Sequence, residues 1–161
     1  MAENNSSYTG RDRNVSKAKS NGKDSKINNK SIDNKKHIGA VVVDDDNDIC
    51  DLMRMALERE GFDVHGFTDP LLALEHFRAN CDSCNIVISD LRMPAMNGIE
   101  FLRNIKKVKP TTKVLLMSAF TIEGDPEYAR LFEQTKINSY IQKPVSMRHL
   151  TQTIKSHINQ E

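Results

Sequence analysis

The run Ile86-Val87-Ile88-Ser89-Asp90-Leu91-Arg92-Met93-Pro94 constrains the fold more tightly than any other stretch of the chain. Its apolar, β-branched part is short and is bounded by a Pro-containing turn, which reads as a buried strand of a parallel sheet. The run stops abruptly at a carboxylate, so Asp90 stands at the carboxyl end of a strand, where open α/β sheets bind ligands. A second run, Ala40-Val41-Val42-Val43, ends the same way at Asp44-Asp45-Asp46. If the two strands are neighbours, three or four carboxylates crowd into one pocket.

The rest of the chain alternates in the same rhythm. A first strand over about 39–44 leads to a helix in which Asp48 is the expected cap and Ile49, Leu52, Met53, Ala56 and Leu57 fall on one face. Gly61 supplies a left-handed stop. Residues 62–67 alternate as a second strand, after which Asp69 or Thr68 caps a helix with Pro70 in its first turn and Leu71, Leu72, Leu74 and Phe77 as apolar positions. The third strand spans 85–89, and Asn97-Gly98 opens a helix carrying Ile99, Phe101, Leu102 and Ile105 that ends before Pro110. The fourth strand, 113–117, ends at Ser118. A polar stretch with Gly124 and Pro126 leads to a helix with Tyr128, Leu131 and Phe132. The fifth strand, 139–142, ends at Lys143-Pro144, and Ser146 caps a last helix with Met147, Leu150, Ile154 and Ile158 at spacings of three and four. Five βα units in strict alternation imply a doubly wound parallel sheet with helices on both faces.

A chain of 161 residues has room for one ordinary domain. Its net charge of +1 argues against a nucleic-acid or membrane binder acting through the whole surface. The charge is nevertheless uneven, because residues 1–36 carry nine Lys/Arg against four Asp/Glu and the remainder fourteen against eighteen. Segment 1–36 is rich in Asn, Ser and Lys and cannot bury enough apolar surface to offset backbone ordering of roughly 1–2 kcal/mol per residue. It is expected to be a disordered basic tail, serving as a solubilising linker or making a weak contact with nucleic acid or an anionic surface. Three cysteines, Cys50, Cys81 and Cys84, follow no secretory signal, and no apolar stretch approaches the ~20 residues of a membrane span, so a reduced, cytoplasmic protein is expected.

Four landmarks, each at a predicted strand end, carry a family resemblance. Val42-Val43-Asp44-Asp45, Ser89-Asp90-Leu91-Arg92-Met93-Pro94-Ala95-Met96-Asn97-Gly98, Met117-Ser118-Ala119 and Tyr140-Ile141-Gln142-Lys143-Pro144 together resemble the receiver domain of two-component response regulators, over about residues 37–159 of a 37–161 domain. The resemblance implies a flavodoxin-like sheet of order 2-1-3-4-5, an order that general accounts of doubly wound folds illustrate with the chemotaxis receiver. It also implies that Asp90 accepts a phosphoryl group from a histidine kinase or phosphotransfer protein. Asp45 would ligate Mg²⁺ directly, Asp44 largely through water, and the Arg92 backbone carbonyl would complete the protein's share of the coordination. Ser118 would bond a phosphoryl oxygen, Lys143 would pair with the phosphoryl group and precede a cis Pro144, and Tyr140 would be the aromatic whose rotamer reports the switch.

The same chemistry follows from charge. Two carboxylates ~4 Å apart repel by about 4 kcal/mol at an effective dielectric near 20, a large part of a stability of ~5–15 kcal/mol. A divalent cation with oxygen-only ligands and retained waters removes that cost, which suits Mg²⁺. Neutralised in this way, a carboxylate can act as a nucleophile, with a lysine and a hydroxyl as accessories. Plainer readings exist for each residue taken alone. Asp44 to Asp46 could cap a helix, with Asp46 and Asp48 as solvent or cap residues. Ser118 could be a turn residue, and Tyr140 plain core. Cys81-Asp82-Ser83-Cys84 invites a zinc or redox reading, but with no second pair a loop-packing role is expected.

Three departures from the receiver pattern touch the output face and not the acid pocket. Segment 133–138 lacks a Gly ending for the fourth helix, the stretch after the fourth strand is long, and Val145 stands where an aromatic is frequent. Since only three residues follow Ile158, a stand-alone receiver without a C-terminal DNA-binding domain is expected, with output through an unknown protein partner. The competing enzyme reading is a haloacid-dehalogenase-type phosphohydrolase using Asp44 of the Asp-x-Asp run. That family also needs an acidic pair after its lysine, and only Glu161 follows Lys143. A receiver-like scaffold that never takes phosphate is the third reading.

Overall fold

The computed structural model describes residues 38–121 and 124–159; the basic segment 1–36, with the disorder and surface contacts expected of it, lies outside them. Within this range five strands alternate with five helices: β1 (Ile38–Val43), α1 (Asn47–Arg59), β2 (Phe62–Phe67), α2 (Pro70–Asn80), β3 (Cys84–Asp90), α3 (Gly98–Val108), β4 (Lys113–Ser118), α4 (Pro126–Thr135), β5 (Ser139–Gln142) and α5 (Met147–Ile158). All strand pairs are parallel and the order is 2-1-3-4-5, the flavodoxin-like arrangement the alternation implied.

The period-two geometry of strands divides the apolar residues between two cores. Val41, Val43, Val87, Val114 and Leu116 face α2 and α3, where Ala73, Leu74, Phe77, Phe101, Leu102 and Ile105 meet them. Ala40, Val42, Ile86, Ile88, Leu115 and Met117 face α1 and α5, packing on Met53, Leu57, Leu150 and Ile154. Burying each such side chain contributes about 1.5–3 kcal/mol, so the central strands are the most strongly fixed part of the fold. At the amino end of the sheet β1 approaches β3 through a register shift between Gly39 and Ala40. A Cβ on Gly39 would lie 2.1 Å from the Ser83 carbonyl oxygen, so only glycine fits there.

The structure corrects several local expectations. Asp46, not Asp48, caps α1, accepting hydrogen bonds from the Asp48 and Ile49 amides, while Asp48 sits in the first turn, where its charge favours the helix dipole. Leu52 is 52% exposed, because the buried stripe of α1 runs through Cys50, Met53 and Leu57 and a neighbour of Met53 is turned about 100° away. Leu71 and Leu72 are exposed for the same reason, since Ala73, Leu74 and Phe77 occupy the inward face of α2. Asp69 caps that helix. Lys136, at φ 56°, ends α4 in the left-handed conformation that glycine usually supplies.

Candidate functional site

Strand register determines what meets at the carboxyl edge. Val43 pairs with Ser89, so the next residues along, Asp44 and Asp90, leave neighbouring strands at the same level. Asp90 pairs with Met117, and Ser118 with Gln142, which places Ser118 and Lys143 one residue beyond those partners. The Lys143 amide donates to the Ser118 carbonyl at 2.7 Å, tying the end of β5 to β4. The Lys143–Pro144 peptide is cis.

The lysine ammonium lies between two carboxylates. Lys143 Nζ is 2.6 Å from Asp44 Oδ2 and 2.5 Å from Asp90 Oδ1. The remaining oxygens are also occupied: Asp44 Oδ1 accepts the Asp46 amide at 3.1 Å and Asp90 Oδ2 the Arg92 amide at 2.7 Å. Asp44 is 1% exposed and Asp90 7%. Burial pushes the Asp44 carboxyl above the usual carboxylate range and Asp90 adds to it, against the opposing pull of Lys143 and the Asp46 amide. Burial alone would lower the Lys143 ammonium, but its bonds to Asp44 and Asp90 outweigh this and raise it, so it stays charged. One cation thus serves two buried anions, leaving net negative charge in the pocket.

The backbone around Asp90 is held from both sides. The Leu91 amide donates to the Met117 carbonyl at 2.8 Å and the Gly98 amide to the Leu91 carbonyl at 2.9 Å. A Cβ on Gly98 would fall 2.0 Å from the Asp90 carbonyl oxygen. Asn97 caps α3 by accepting the Glu100 amide, so the loop ends in a fixed helix start. Ala95 within this loop takes φ 65°, a left-handed conformation unusual for a residue with a Cβ.

Ser118 is 1% exposed, and its Oγ accepts the Phe120 amide at 2.9 Å. The Arg92 guanidinium lies 3.7 Å over the Phe120 ring, a cation–π contact between the loop after Asp90 and the loop after β4. Tyr140, on β5, donates its hydroxyl hydrogen to the Phe120 carbonyl and sets its ring edge-on to Phe132. Phe120 therefore links the residues around Asp90 to β5. Nothing in its sequence position signals this, because the contacts exist only once three strand ends are side by side. Gly98 was legible only as a helix start, not as the close neighbour of Asp90.

The expected pocket of three or four carboxylates is here two carboxylates and a lysine. Asp45 is exposed, since the chain bends at that residue toward the Asp46 cap. It lines the mouth of a groove of about 760 Å³ between the loop after β3, α3 and α4, with Arg92, Pro94, Glu100, Arg103 and Tyr128 among the other walls. Among the described residues no three His, Cys, Asp or Glu side chains converge as a metal-holding group. Mg²⁺, however, commonly takes one or two carboxylates and fills its shell with water and phosphate oxygens. The oxygen-only donors at these strand tips fit that chemistry. Cys50, Cys81 and Cys84 are free thiols packing within or against the two cores, Cys81 and Cys84 at the amino end of β3 and Cys50 on α1, near enough to Asp44 for that charge to act on its thiol. Among the described residues no helix is long and apolar enough to cross a membrane.

Comparison with known proteins agrees with the geometry. The C4-dicarboxylate transport transcriptional regulatory protein DctD of Rhizobium meliloti is 33% identical over 114 residues, covering 71% of this chain and 24% of that protein. The crystal structure of a response regulator receiver domain protein from Clostridium thermocellum is 31% identical, with a TM-score of 0.67, covering 76% of this chain and 94% of the other. A BeF3-activated DrrB receiver domain is 25% identical with a TM-score of 0.64, over 77% and 99%. The chain spans a quarter to about half the length of the curated relatives it matches. Residues 40–155 match the response regulator receiver domain family; the chain belongs to that family, the phosphorelay signalling domain of two-component systems.

Proposed function

We propose that this receiver takes a phosphoryl group on Asp90 from a histidine kinase or phosphotransfer protein, with Mg²⁺ as cofactor, and passes the signal to a protein partner through its β4–α4–β5 face. The observation that carries the reading is the shared ammonium: Lys143 within 2.6 Å of both Asp44 and Asp90 at adjoining strand tips. An Asp90 carboxylate oxygen attacks phosphorus, the P–N bond to the donor imidazole breaks, and its electron pair leaves on the ring nitrogen. Lys143 keeps its charge and pairs with the added phosphoryl oxygens. Among the described residues the Ser118 Oγ accepts from the Phe120 amide, and its own hydrogen would be donated to a phosphoryl oxygen. Asp45, Asp44 and the Arg92 carbonyl are the groups that would hold Mg²⁺, directly or through water. When bound, the ion neutralises charge on the incoming group.

Phosphorylation adds about two negative charges next to a lysine that already serves two carboxylates. Ser118, Phe120 and Tyr140 are bonded in series from the site to β5, so a new demand on Ser118 is felt at Tyr140 and along α4. The test is labelling of the purified chain with acetyl phosphate, with and without Mg²⁺. A Mg²⁺-dependent, hydroxylamine-labile adduct that disappears in Asp90→Asn is expected. Label that survives in Asp90→Asn and is lost in Asp44→Asn would assign the nucleophile to Asp44 and favour the phosphohydrolase. No label at all would leave the scaffold.

A further inference from the structure

Cys81 and Cys84 lie on the far side of the protein's chemistry, at the turn that feeds β3 from α2. Cys81 is the C-cap of α2 and Cys84 the first residue of β3. The Cys84 amide donates to the Cys81 carbonyl at 3.3 Å, closing a four-residue turn. Such turns hold their first and last Cα atoms within about 7 Å, and disulfides span Cα separations of about 4.4–6.8 Å. Both side chains meet the same apolar cluster, Cys84 as a buried member and Cys81 packed against it from a half-buried position. Both are free thiols.

A lysine from another helix fixes the turn. Lys109, the C-cap of α3, places Nζ 2.7 Å from the Cys81 carbonyl and 3.1 Å from the Cys84 carbonyl. Ser83 adds a bond from its hydroxyl to the Asn80 carbonyl at 2.9 Å, and its own carbonyl abuts Gly39. The two cysteine backbones are thereby held together before any covalent link forms. A bridge between them keeps the backbone bonds of the turn and exchanges the contact of the Cys84 thiol with the Ile86 carbonyl, at 3.5 Å, for the link to Cys81.

We propose that Cys81 and Cys84 form a reversible redox site, oxidised to an intrachain disulfide by a small-molecule disulfide such as glutathione disulfide. Cys81, the more exposed of the two, attacks first: its thiolate displaces one thiolate of the oxidant, giving a mixed disulfide. Cys84 then attacks the Cys81 sulfur and expels the second thiolate. Two cysteine thiols lose two electrons and two protons, and the oxidant's disulfide becomes two thiols. Burial pushes the Cys84 thiol up to about 11, so the second displacement quickens as the pH rises toward that value. The site lies at the amino end of β3 and Asp90 at its carboxyl end, so the bridge leaves the acid pocket in place.

The test is incubation of the full chain with glutathione disulfide at pH 8, followed by unfolding and alkylation. Of three cysteines, only one, Cys50, is expected to take the alkyl group, with a peptide link between 81 and 84 that dithiothreitol reverses. Cys84→Ala is expected to stop at a stable glutathione adduct on Cys81, and Cys81→Ser to give no bridge. The same adduct persisting in the wild-type chain, a link involving Cys50, or disulfide-joined dimers would each overturn the proposal.

Discussion

Replacing Lys143 by methionine tests whether the pocket is held by one shared cation. Methionine keeps most of the apolar stem and removes the charge. Both carboxylate oxygens lie within 2.6 Å of Nζ, so they are no more than about 5 Å apart. At an effective dielectric near 20, two unit charges at that separation repel by about 3 kcal/mol. Breaking a buried ion pair by removing one partner costs about 3–5 kcal/mol. Lys143→Met should therefore remove 3–5 kcal/mol, approximately, from a total stability of about 5–15 kcal/mol. Asp44→Asn added to it removes one of the repelling charges and should recover about 3 kcal/mol. The assay is urea unfolding followed by far-ultraviolet circular dichroism, on wild type, both single variants and the double variant, at neutral pH with EDTA. A cost below about 1 kcal/mol for Lys143→Met, or a double variant no more stable than that single change, would refute the reasoning.

Three further outcomes follow from particular contacts. Gly98→Ala forces a methyl group against the Asp90 carbonyl and should cost about 1–3 kcal/mol in urea unfolding, while slowing labelling by acetyl phosphate; a neutral substitution would contradict the close approach. Lys136→Gly relieves a left-handed residue at the end of α4, a strain of about 1–2 kcal/mol offset by about 0.5–1 kcal/mol of glycine entropy, so a small rise in Tm is expected by calorimetry and a fall would contradict it. Cys84 is raised from 9.0 to about 11 by burial, so under reducing conditions its contribution is intact below pH 9 and lost as the pH rises through 11. Two units correspond to roughly 3 kcal/mol, and the stability gap between wild type and Cys84→Ala should shrink by that order over this window; a gap independent of pH would count against the burial.

The fold was legible because period-two apolar strands and punctuated helices fall in strict alternation, and the strand order followed from the resemblance those strand ends carry. What local sequence could not supply was direction and distance. Leu52, Leu71 and Leu72 look like core until the true stripe on each helix is known, because residues one apart on a helix diverge by about 100°. Asp45 reads from sequence as equivalent to Asp44, but the chain bends there and leaves it exposed on the groove lining while Asp44 is buried. Asp44, Asp90 and Lys143 were identifiable as strand-end charges, but their sharing of one ammonium depends on register between strands far apart in sequence. Phe120 carried no signal at all: its ring is placed by Arg92, its amide by Ser118 and its carbonyl by Tyr140. Lys136 shows the opposite case, where a missing glycine read as a departure is met by lysine adopting the same backbone conformation.

The most direct test of the account is to trap the phosphorylated chain with borohydride and locate the modified residue by tandem mass spectrometry. Reductive cleavage of an acyl phosphate converts the labelled aspartate to homoserine. The account predicts homoserine at position 90 alone, formed only when Mg²⁺ was present during phosphorylation. Homoserine at position 44 or 45, or an unmodified Asp90 in a chain that has taken up phosphate, would contradict it.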